Sequence, residues 1–440
     1  MATGYLSHTM STPTNRKKST ISAWVKKTSE GANSTIFGGG DAATDCAFLN
    51  FNTSDKLFLQ SATSDSADWG ITTSAVFRDS AAWYHVVAKI DTTQSTSTDR
   101  VKIYVNGNLQ TVTGSYPSQN YDMQWSRNGE VQLVGKYPST GIYFNGVMAH
   151  VHFTDGYAYD ASTFGETDST SGIWKPKTAP SVTYGTNGFF LKFENSAAMG
   201  TDSSGQSNTF TVNNSVTQNI DSPSNNFATL NPLQQNNTAT TYSNGNTKGT
   251  GTSSTSNFSS TPATLAASVG KWYAEYKPNL STTGSSISGF VNLDTANFNA
   301  TDYYGGSNNM SAGLYDDAGQ ILHSTGTNLG SVGALSNGDI VMLAMDLDNG
   351  YLYWGKNGTW FNSANPATSG GTGGLALSNL GSNGTYTFLN GNRKSMGTEW
   401  NFGSGFFGTT AVASANADGN GVGAFEYAVP SGYYALCTKN

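Results

Sequence analysis

Apolar and polar residues alternate along short runs through most of this chain, and apolar positions at helical spacing are almost missing. In the first half the alternating runs include Thr20-Ile21-Ser22-Ala23-Trp24-Val25, Trp83-Tyr84-His85-Val86-Val87-Ala88-Lys89-Ile90, Val101-Lys102-Ile103-Tyr104-Val105 and Val147-Met148-Ala149-His150-Val151-His152-Phe153. Period-two alternation puts successive side chains on opposite faces, so these runs predict β-strands, several of them half-buried. Asn106-Gly107 directly after Val105 predicts a hairpin, because a type I′ turn needs positive φ at both central residues. In the second half Gly270-Lys271-Trp272-Tyr273-Ala274-Glu275-Tyr276 opens a new strand series. Its strongest member, Asp339 to Asp348, is followed by Asn349-Gly350, then Tyr351-Leu352-Tyr353-Trp354, then Asn357-Gly358, which reads as a meander.

Between the two series, residues 234–262 carry few apolar anchors. They run from Gln234-Gln235-Asn236-Asn237-Thr238 through Gly249-Thr250-Gly251-Thr252-Ser253-Ser254. That composition predicts a linker or a long surface excursion. The expected organisation is therefore all-β, with two β-sandwich (jelly-roll) domains at 1–233 and 263–440 joined by a Ser/Thr/Gly/Asn-rich linker at 234–262. No heptad seam or short β-helix repeat marks a fibre shaft.

Composition sharpens this picture. At 440 residues the chain is long for one domain. Charged residues make up 12%, against an ordinary share of about 25%, and Ser, Thr, Asn and 51 Gly take their place. The net charge of −7 argues against a nucleic-acid partner. The basic run Arg16-Lys17-Lys18 reads as a contact for an anionic partner or, with more weight, as a solvated turn. Only Cys46 and Cys437 are present, fitting no disulfide framework, so buried free thiols are expected. No run reaches the roughly 18 apolar residues of a membrane helix, and Met1-Ala2-Thr3-Gly4 opens no apolar signal segment. The expectation is synthesis in a cytoplasm without a secretion signal and without a membrane partner, compatible with assembly into a particle or with an intracellular role.

Several phrases now carry a resemblance. Ser22-Ala23-Trp24-Val25-Lys26, Trp83-Tyr84-His85-Val86-Val87, Ile103-Tyr104-Val105-Asn106-Gly107 and Phe144-Asn145-Gly146-Val147-Met148-Ala149-His150-Val151 follow one another in the order found in concanavalin A-like, laminin-G-like jelly rolls. The first half resembles that family over about 130 residues. A segment often found at the start of such domains stands here at the end, as Asp202-Ser203-Ser204-Gly205-Gln206-Ser207-Asn208, with a closing strand expected at Gly188 to Glu194. The second half resembles the SPRY (B30.2) sandwich through Gly270 to Tyr276, Gly338-Asp339-Ile340-Val341, Trp354-Gly355-Lys356-Asn357-Gly358 and Asn401-Phe402-Gly403. The pairing, with the phrases Asn225 to Pro232 and Pro430 to Cys437, resembles proteins of marine tailed phages. That resemblance implies a virion protein on the particle exterior, synthesised in the host cytoplasm: a tail-fibre or receptor-binding subunit, or a capsid decoration or head-fibre protein. The partners it implies are other virion subunits, further copies of the chain (a trimer among the options), and a host cell-surface glycan or protein.

Candidate chemistry is sparse. Laminarinase-like enzymes on the jelly roll need two carboxylates flanking the sugar bond. None of the seven glutamates stands in an E-x-D-x-E run, so a polysaccharide depolymerase is the lesser alternative and no catalytic residue is assigned. Asp346-x-Asp348-Asn349-Gly350 suits either a hard cation or a solvated turn, the turn being favoured. His150-x-His152 shares one strand face without a third ligand at a telling spacing and reads as a structural pair. No nucleophile elbow is present, and Gly38-Gly39-Gly40 and Gly370-Gly371-Thr372-Gly373-Gly374 read as turns. Because laminin-G-like domains often hold Ca²⁺ on loops, the resemblance makes Asp202 and Asn208 the calcium candidates, calcium being the one cofactor suggested. Tyr116, Tyr121, Trp125, Tyr137 and Tyr143 in the first half, and Tyr303, Tyr304, Trp360 and Phe361 in the second, fall in expected loops. Aromatic faces among Asn and Asp suit stacking on a sugar ring; packing under loops or subunit contacts is the competing reading.

Overall fold

The computed structural model describes residues 3–41, 44–64, 66–139, 141–235, 240–252, 258–280, 284–296, 311–316, 319–323, 328–331, 333–368, 370–381 and 383–440. Among them there are strands and short 3₁₀ turns but no α-helix. The chain divides into two compact units, residues 1–218 with 222–224, and 219–221 with 225–440.

The first unit is a sandwich of two antiparallel sheets. One has eight strands in the order Val112–Ser115, Ser66–Thr73, Leu57–Thr63, Asp45–Phe51, Ser34–Asp41, Val131–Val134, Tyr5–Thr9 and Thr211–Asn213. The other has six: Phe189–Leu191, Gly146–Asp155, Lys18–Lys27, Tyr84–Asp91, Val101–Val105 and Asn108–Leu109. Alternation works as expected along Lys18–Lys27, where Ile21, Ala23 and Val25 enter a core shared with Phe37, Leu49 and Leu59 of the opposite sheet. The hairpin also forms, with Asn106 at φ 48° and Gly107 at φ 81°. Gly38-Gly39-Gly40, expected as a turn, instead lies inside the strand Ser34–Asp41. The reason is packing: a Cβ on Gly39 would fall 2.9 Å from Cβ of Trp125, so glycine makes room for the indole.

The second unit is also a sandwich. One sheet runs Thr240–Ser243, Lys248–Gly251, Gly397–Asn401, Lys271–Asn279, Val341–Asp346, Tyr351–Lys356 and Thr359–Trp360, with Tyr434–Ala435 added in parallel to Lys271–Asn279. The other runs Ser259–Pro262, Tyr386–Arg393, Ser285–Asn292, Ser311–Tyr315, Gln320–His323 and Asn328–Ser331. Tyr276, Leu343, Trp354 and Trp400 of the first meet Phe290, Leu314 and Phe388 of the second. The segment expected to be a linker differs from that expectation. Within 234–262, Thr240–Ser243 and Lys248–Gly251 form a hairpin, and Ser259–Pro262 joins the other sheet. Apart from Phe258 and Pro262, its buried positions among the described residues are small or polar, Gly249, Gly251, Ser259, Ser260 and Thr261 among them, so no apolar alternation reveals it.

Candidate functional site

Part of the outer face of the six-stranded sheet in the first unit is covered. Ser22 and Trp24 point away from the core by alternation, yet they are buried. Residues of the segment 156–187 bond to their neighbours on this face: Tyr157 and Tyr159 to Thr20, Trp174 to His85 and Tyr184 to His152. Trp24 stacks on His85 at 4.7 Å and 13°. The Trp174 indole N–H, which can only donate, reaches His85 Nδ1 at 2.9 Å. That contact makes Nδ1 the acceptor and assigns the proton to Nε2, which lies 2.8 Å from Ser22 Oγ. His152 stacks on Phe190 at 3.8 Å and shares a hydrogen bond of 3.0 Å with the Tyr184 hydroxyl. His150 occupies a β-bulge between Ala149 and His152, at φ 48°, and leans on the same Phe190 ring. Burial, then the neighbouring His150, pushes His85 down to about 3. Burial likewise holds His150 below the ordinary range, and His152 well below it. Of the two histidines read from sequence as a structural pair, His152 is therefore tied with His85 into a neutral latch under this segment, and His150 packs beside it on Phe190.

Where that segment leaves the sheet, Gly156 to Tyr159 line a cleft of about 390 Å³ together with Asn15, Lys18 and Asp91. The backbone here is tied at four points. Thr154 and Thr20 hydroxyls donate to the Tyr157 carbonyl at 2.7 and 3.2 Å, the Tyr159 N–H reaches Thr20 Oγ1 at 2.8 Å, and the Gly156 N–H reaches the Lys18 carbonyl at 3.0 Å. The Tyr157 and Tyr159 rings then stack at 6.4 Å and 20°. Tyr159 is held further by the Thr183 N–H on its hydroxyl, at 2.9 Å, whereas Tyr157 stays 36% exposed. Lys18 Nζ lies 3.4 Å from Asp91 Oδ2. Burial pushes the Asp91 carboxyl up, but hydrogen bonds from Thr93 and Gln94, with the Lys18 charge, outweigh it and hold the group below the ordinary range. The cleft thus presents a fixed aromatic face, an exposed amide at Asn15 and a paired ammonium. A flat apolar ring face with polar groups at its rim suits an amphipathic ligand such as a sugar ring.

The aromatics singled out from sequence do not form this site. Trp125 is fully buried against Phe37 at 5.6 Å, with its N–H on Ser19 Oγ at 3.3 Å. Tyr121 donates to Asp68 at 2.5 Å and packs edge-on against Trp69. Tyr116 packs half-buried on the core, Tyr137 lies edge-on to Phe48 at 4.6 Å, and Tyr143 leans on Tyr5 at 6.0 Å. In the second unit Trp360 packs half-buried against Tyr273 at 6.3 Å, and Phe361 against the core. Tyr303 and Tyr304 lie outside the described residues. Tyr157, Tyr159, Asn15 and Asp91 carry no reading from sequence, and Lys18 only one as part of the basic run Arg16-Lys17-Lys18. The only local sign of them is an aromatic pair two residues apart, directly after a glycine at a strand end.

The calcium candidates do not fit a cation. Asp202 Oδ1 accepts the N–H groups of Phe190 and Ser204 at 2.9 and 2.8 Å, and Oδ2 accepts the Ser204 hydroxyl and the Asn208 N–H at 2.8 and 2.9 Å. Asn208 donates its amide to the carbonyls of Thr186 and Gly188 at 2.8 and 2.9 Å. Both side chains clasp the loop to the edge strand, and a cation would have to displace those donors. Asp346 similarly accepts from Asn349 and pairs with Lys271 at 2.9 Å, which is turn chemistry. Among the described residues no group of three or more His, Cys, Asp or Glu side chains is placed to hold a metal ion.

Comparison with known proteins bears on the first unit. The family model of the concanavalin A-like lectin/glucanases superfamily matches residues 1–162. The architecture is accordingly that of concanavalin A-like jelly-roll sandwiches. No curated protein matches the chain. Among solved structures the chain is similar to the SPRY domain of human HERC1, at 12% identity over 39% of this chain and 96% of that one, TM-score 0.30. It is similar to a putative carbohydrate binding protein from Bacteroides ovatus, at 15% identity over 48% of this chain and 56% of that one, TM-score 0.31. It is also similar to the carbohydrate-binding module of a Ruminococcus gnavus sialidase bound to sialyllactose, at 17% identity over 33% and 78%, TM-score 0.26.

Proposed function

We propose that this chain is a non-enzymatic, glycan-binding protein of a tailed-phage particle exterior, a tail-fibre or receptor-binding subunit, with the Tyr157 cleft of the first unit as its sugar platform. The observation that carries the reading is the tied backbone at Gly156 to Tyr159, which holds the partly exposed Tyr157 beside Tyr159 in a cleft lined also by Asn15, Lys18 and Asp91. A platform already rigid loses little conformational entropy on binding. The match of residues 1–162 to a lectin and glucanase superfamily supports carbohydrate as the ligand class. Binding without hydrolysis is supported by the lining: its one carboxylate among the described residues, Asp91, is largely buried and engaged by Thr93 and Gln94. Glycosidases need a second carboxylate across the scissile bond. The particle assignment rests on the paired-sandwich resemblance and its connecting phrases.

The experiment is to apply the purified chain to an array of bacterial surface polysaccharides and assay the bound ones for new reducing ends. Retention on a defined glycan class with no new ends is expected. Released reducing ends would make it a depolymerase, and retention of none would remove the glycan reading. The particle assignment is tested separately: the chain is expected in peptide maps of purified phage, and its absence there would overturn that part alone.

A further inference from the structure

At the end of the strand Lys18–Lys27 an amine and a carboxyl are buried against each other. Lys27 Nζ contacts Asp55 Oδ1, with the two side chains only 2% and 3% exposed, and the ammonium lies 5.3 Å from the centre of the Phe51 ring. Asp55 sits at φ 58° in the turn between the strands Asp45–Phe51 and Leu57–Thr63, its N–H on the Asn52 carbonyl at 2.9 Å and its carbonyl on the Phe77 N–H at 2.8 Å. The carboxyl is therefore fixed by backbone on both sides. Its oxygens are polarised by donors, the Gly31 N–H on Oδ1 at 2.9 Å and Arg78 Nε on Oδ2 at 3.1 Å. Glu30, beside Gly31 in the chain, is close enough to feel the charges of both Lys27 and Asp55. Its Oε1 is buried with no hydrogen-bond partner. Burial raises the Glu30 carboxyl above the ordinary range, against the pull of Lys27, so it holds a proton more readily than an exposed glutamate.

A buried ion pair loses the hydration of both ions, and mutual attraction often fails to offset that loss. Burial raises the Asp55 carboxyl, but the bonds from Lys27, Gly31 and Arg78 outweigh it and hold the group below the ordinary range. Reaction therefore proceeds through the minor form in which one proton has moved from ammonium to carboxylate, leaving a neutral amine beside a neutral acid. Groups held in contact this way react as if at an effective concentration of about 10⁵–10⁸ M, enough to drive condensations that free reactants do not undergo. We infer that Lys27 and Asp55 join in an intramolecular isopeptide bond, with Glu30 carrying the proton between them. Lys27 Nζ attacks Asp55 Cγ and a C–N bond forms. Negative charge gathers on Oδ2, where Arg78 donates to it. Glu30 takes a proton from the nitrogen and returns it to Oδ1, the C–Oδ1 bond breaks, and Oδ1 departs as water. Lys27 ammonium plus Asp55 carboxylate gives one amide and one water, with no net proton and no oxidant. The bond ties a strand end to the turn of a hairpin in the opposite sheet, so it restrains the unfolded chain.

Intact-mass spectrometry of the folded full chain, measured under denaturing conditions, tests this. The chain is expected to be lighter than its sequence mass by one water, and tryptic digestion is expected to give one branched peptide joining Lys27 to Asp55. Full sequence mass overturns the inference. So does a lost water that maps elsewhere, for example to a succinimide. Lys27→Arg keeps the positive charge without the amine and is expected at full mass; the same deficit in that variant would also overturn the bond. Asp55→Asn is expected to lose ammonia instead of water and give the same branched peptide. Glu30→Gln is expected to accumulate the unjoined chain. Should Lys27→Arg fail to fold, the wild-type peptide map and the Asp55→Asn deficit decide.

Discussion

His85 accepts from an indole that can only donate, so its protonation would set two N–H groups against each other. Its folded value of about 3 lies below the ordinary histidine value of roughly 6.5, and His152 is displaced in the same direction. As pH falls, the unfolded chain takes up these protons first. The stability due to the neutral imidazoles is thus complete above about pH 6.5 and drains as pH falls toward 3, by at most about 1.4 kcal/mol per pH unit for each histidine. The charged groups facing them are few: His150 adds to the depression, while Glu194 opposes it and Lys192 reinforces it at His150 itself. Thermal unfolding between pH 7 and 4 is expected to show a falling melting temperature for the first unit, and a flat profile would contradict the latch. Trp174→Phe keeps the ring but leaves His85 Nδ1 without its donor, at an expected cost of about 1–3 kcal/mol in urea unfolding. In the same variant NMR titration should find His85 closer to the ordinary range.

Strands were legible where their buried positions are large and apolar. Lys18–Lys27, Val101–Val105 and Tyr351–Lys356 form where alternation placed them, and Asn106-Gly107 and Asn357-Gly358 turn the chain with positive φ. Strands whose inward residues are glycine, serine or threonine were not legible. Lys248–Gly251 belongs to this class, and Gly251 shows why: a Cβ there would meet the Arg393 backbone at 3.0 Å. Gly251→Val is expected to destabilise the second unit by about 1–3 kcal/mol. Gly419→Ala, whose Cβ would have 3.6 Å to its nearest neighbour, is the control, with a change within about 0.5 kcal/mol. Equal melting temperatures for the two variants would refute the packing account of the segment read as a linker.

Over the whole molecule, fold class followed from pattern and composition, whereas the cleft did not. Thr20 fixes Tyr157 and Tyr159 from a strand more than a hundred residues earlier, and no local spacing announces such a tie. Aromatic residues in loop-like sequence look exposed. Trp125 fills the core instead, over the room that Gly39 leaves. On the proposed glycan reading, a chain with 12% charged residues, whose cleft pairs its ammonium with Asp91, is expected to bind through ring stacking and neutral hydrogen bonds. Its glycan affinity is therefore expected to change less than about 2-fold when salt shortens the Debye length from about 10 to 3 Å. A steep salt dependence would mean a charged ligand held by the basic run at Arg16 to Lys18. The most direct measurement is calorimetric titration of an array-selected oligosaccharide into the full chain and into Tyr157→Ala. Removing the exposed ring is expected to weaken binding at least about 10-fold, or 1.4 kcal/mol, while melting temperature stays unchanged. Equal affinity in the two proteins would contradict the platform.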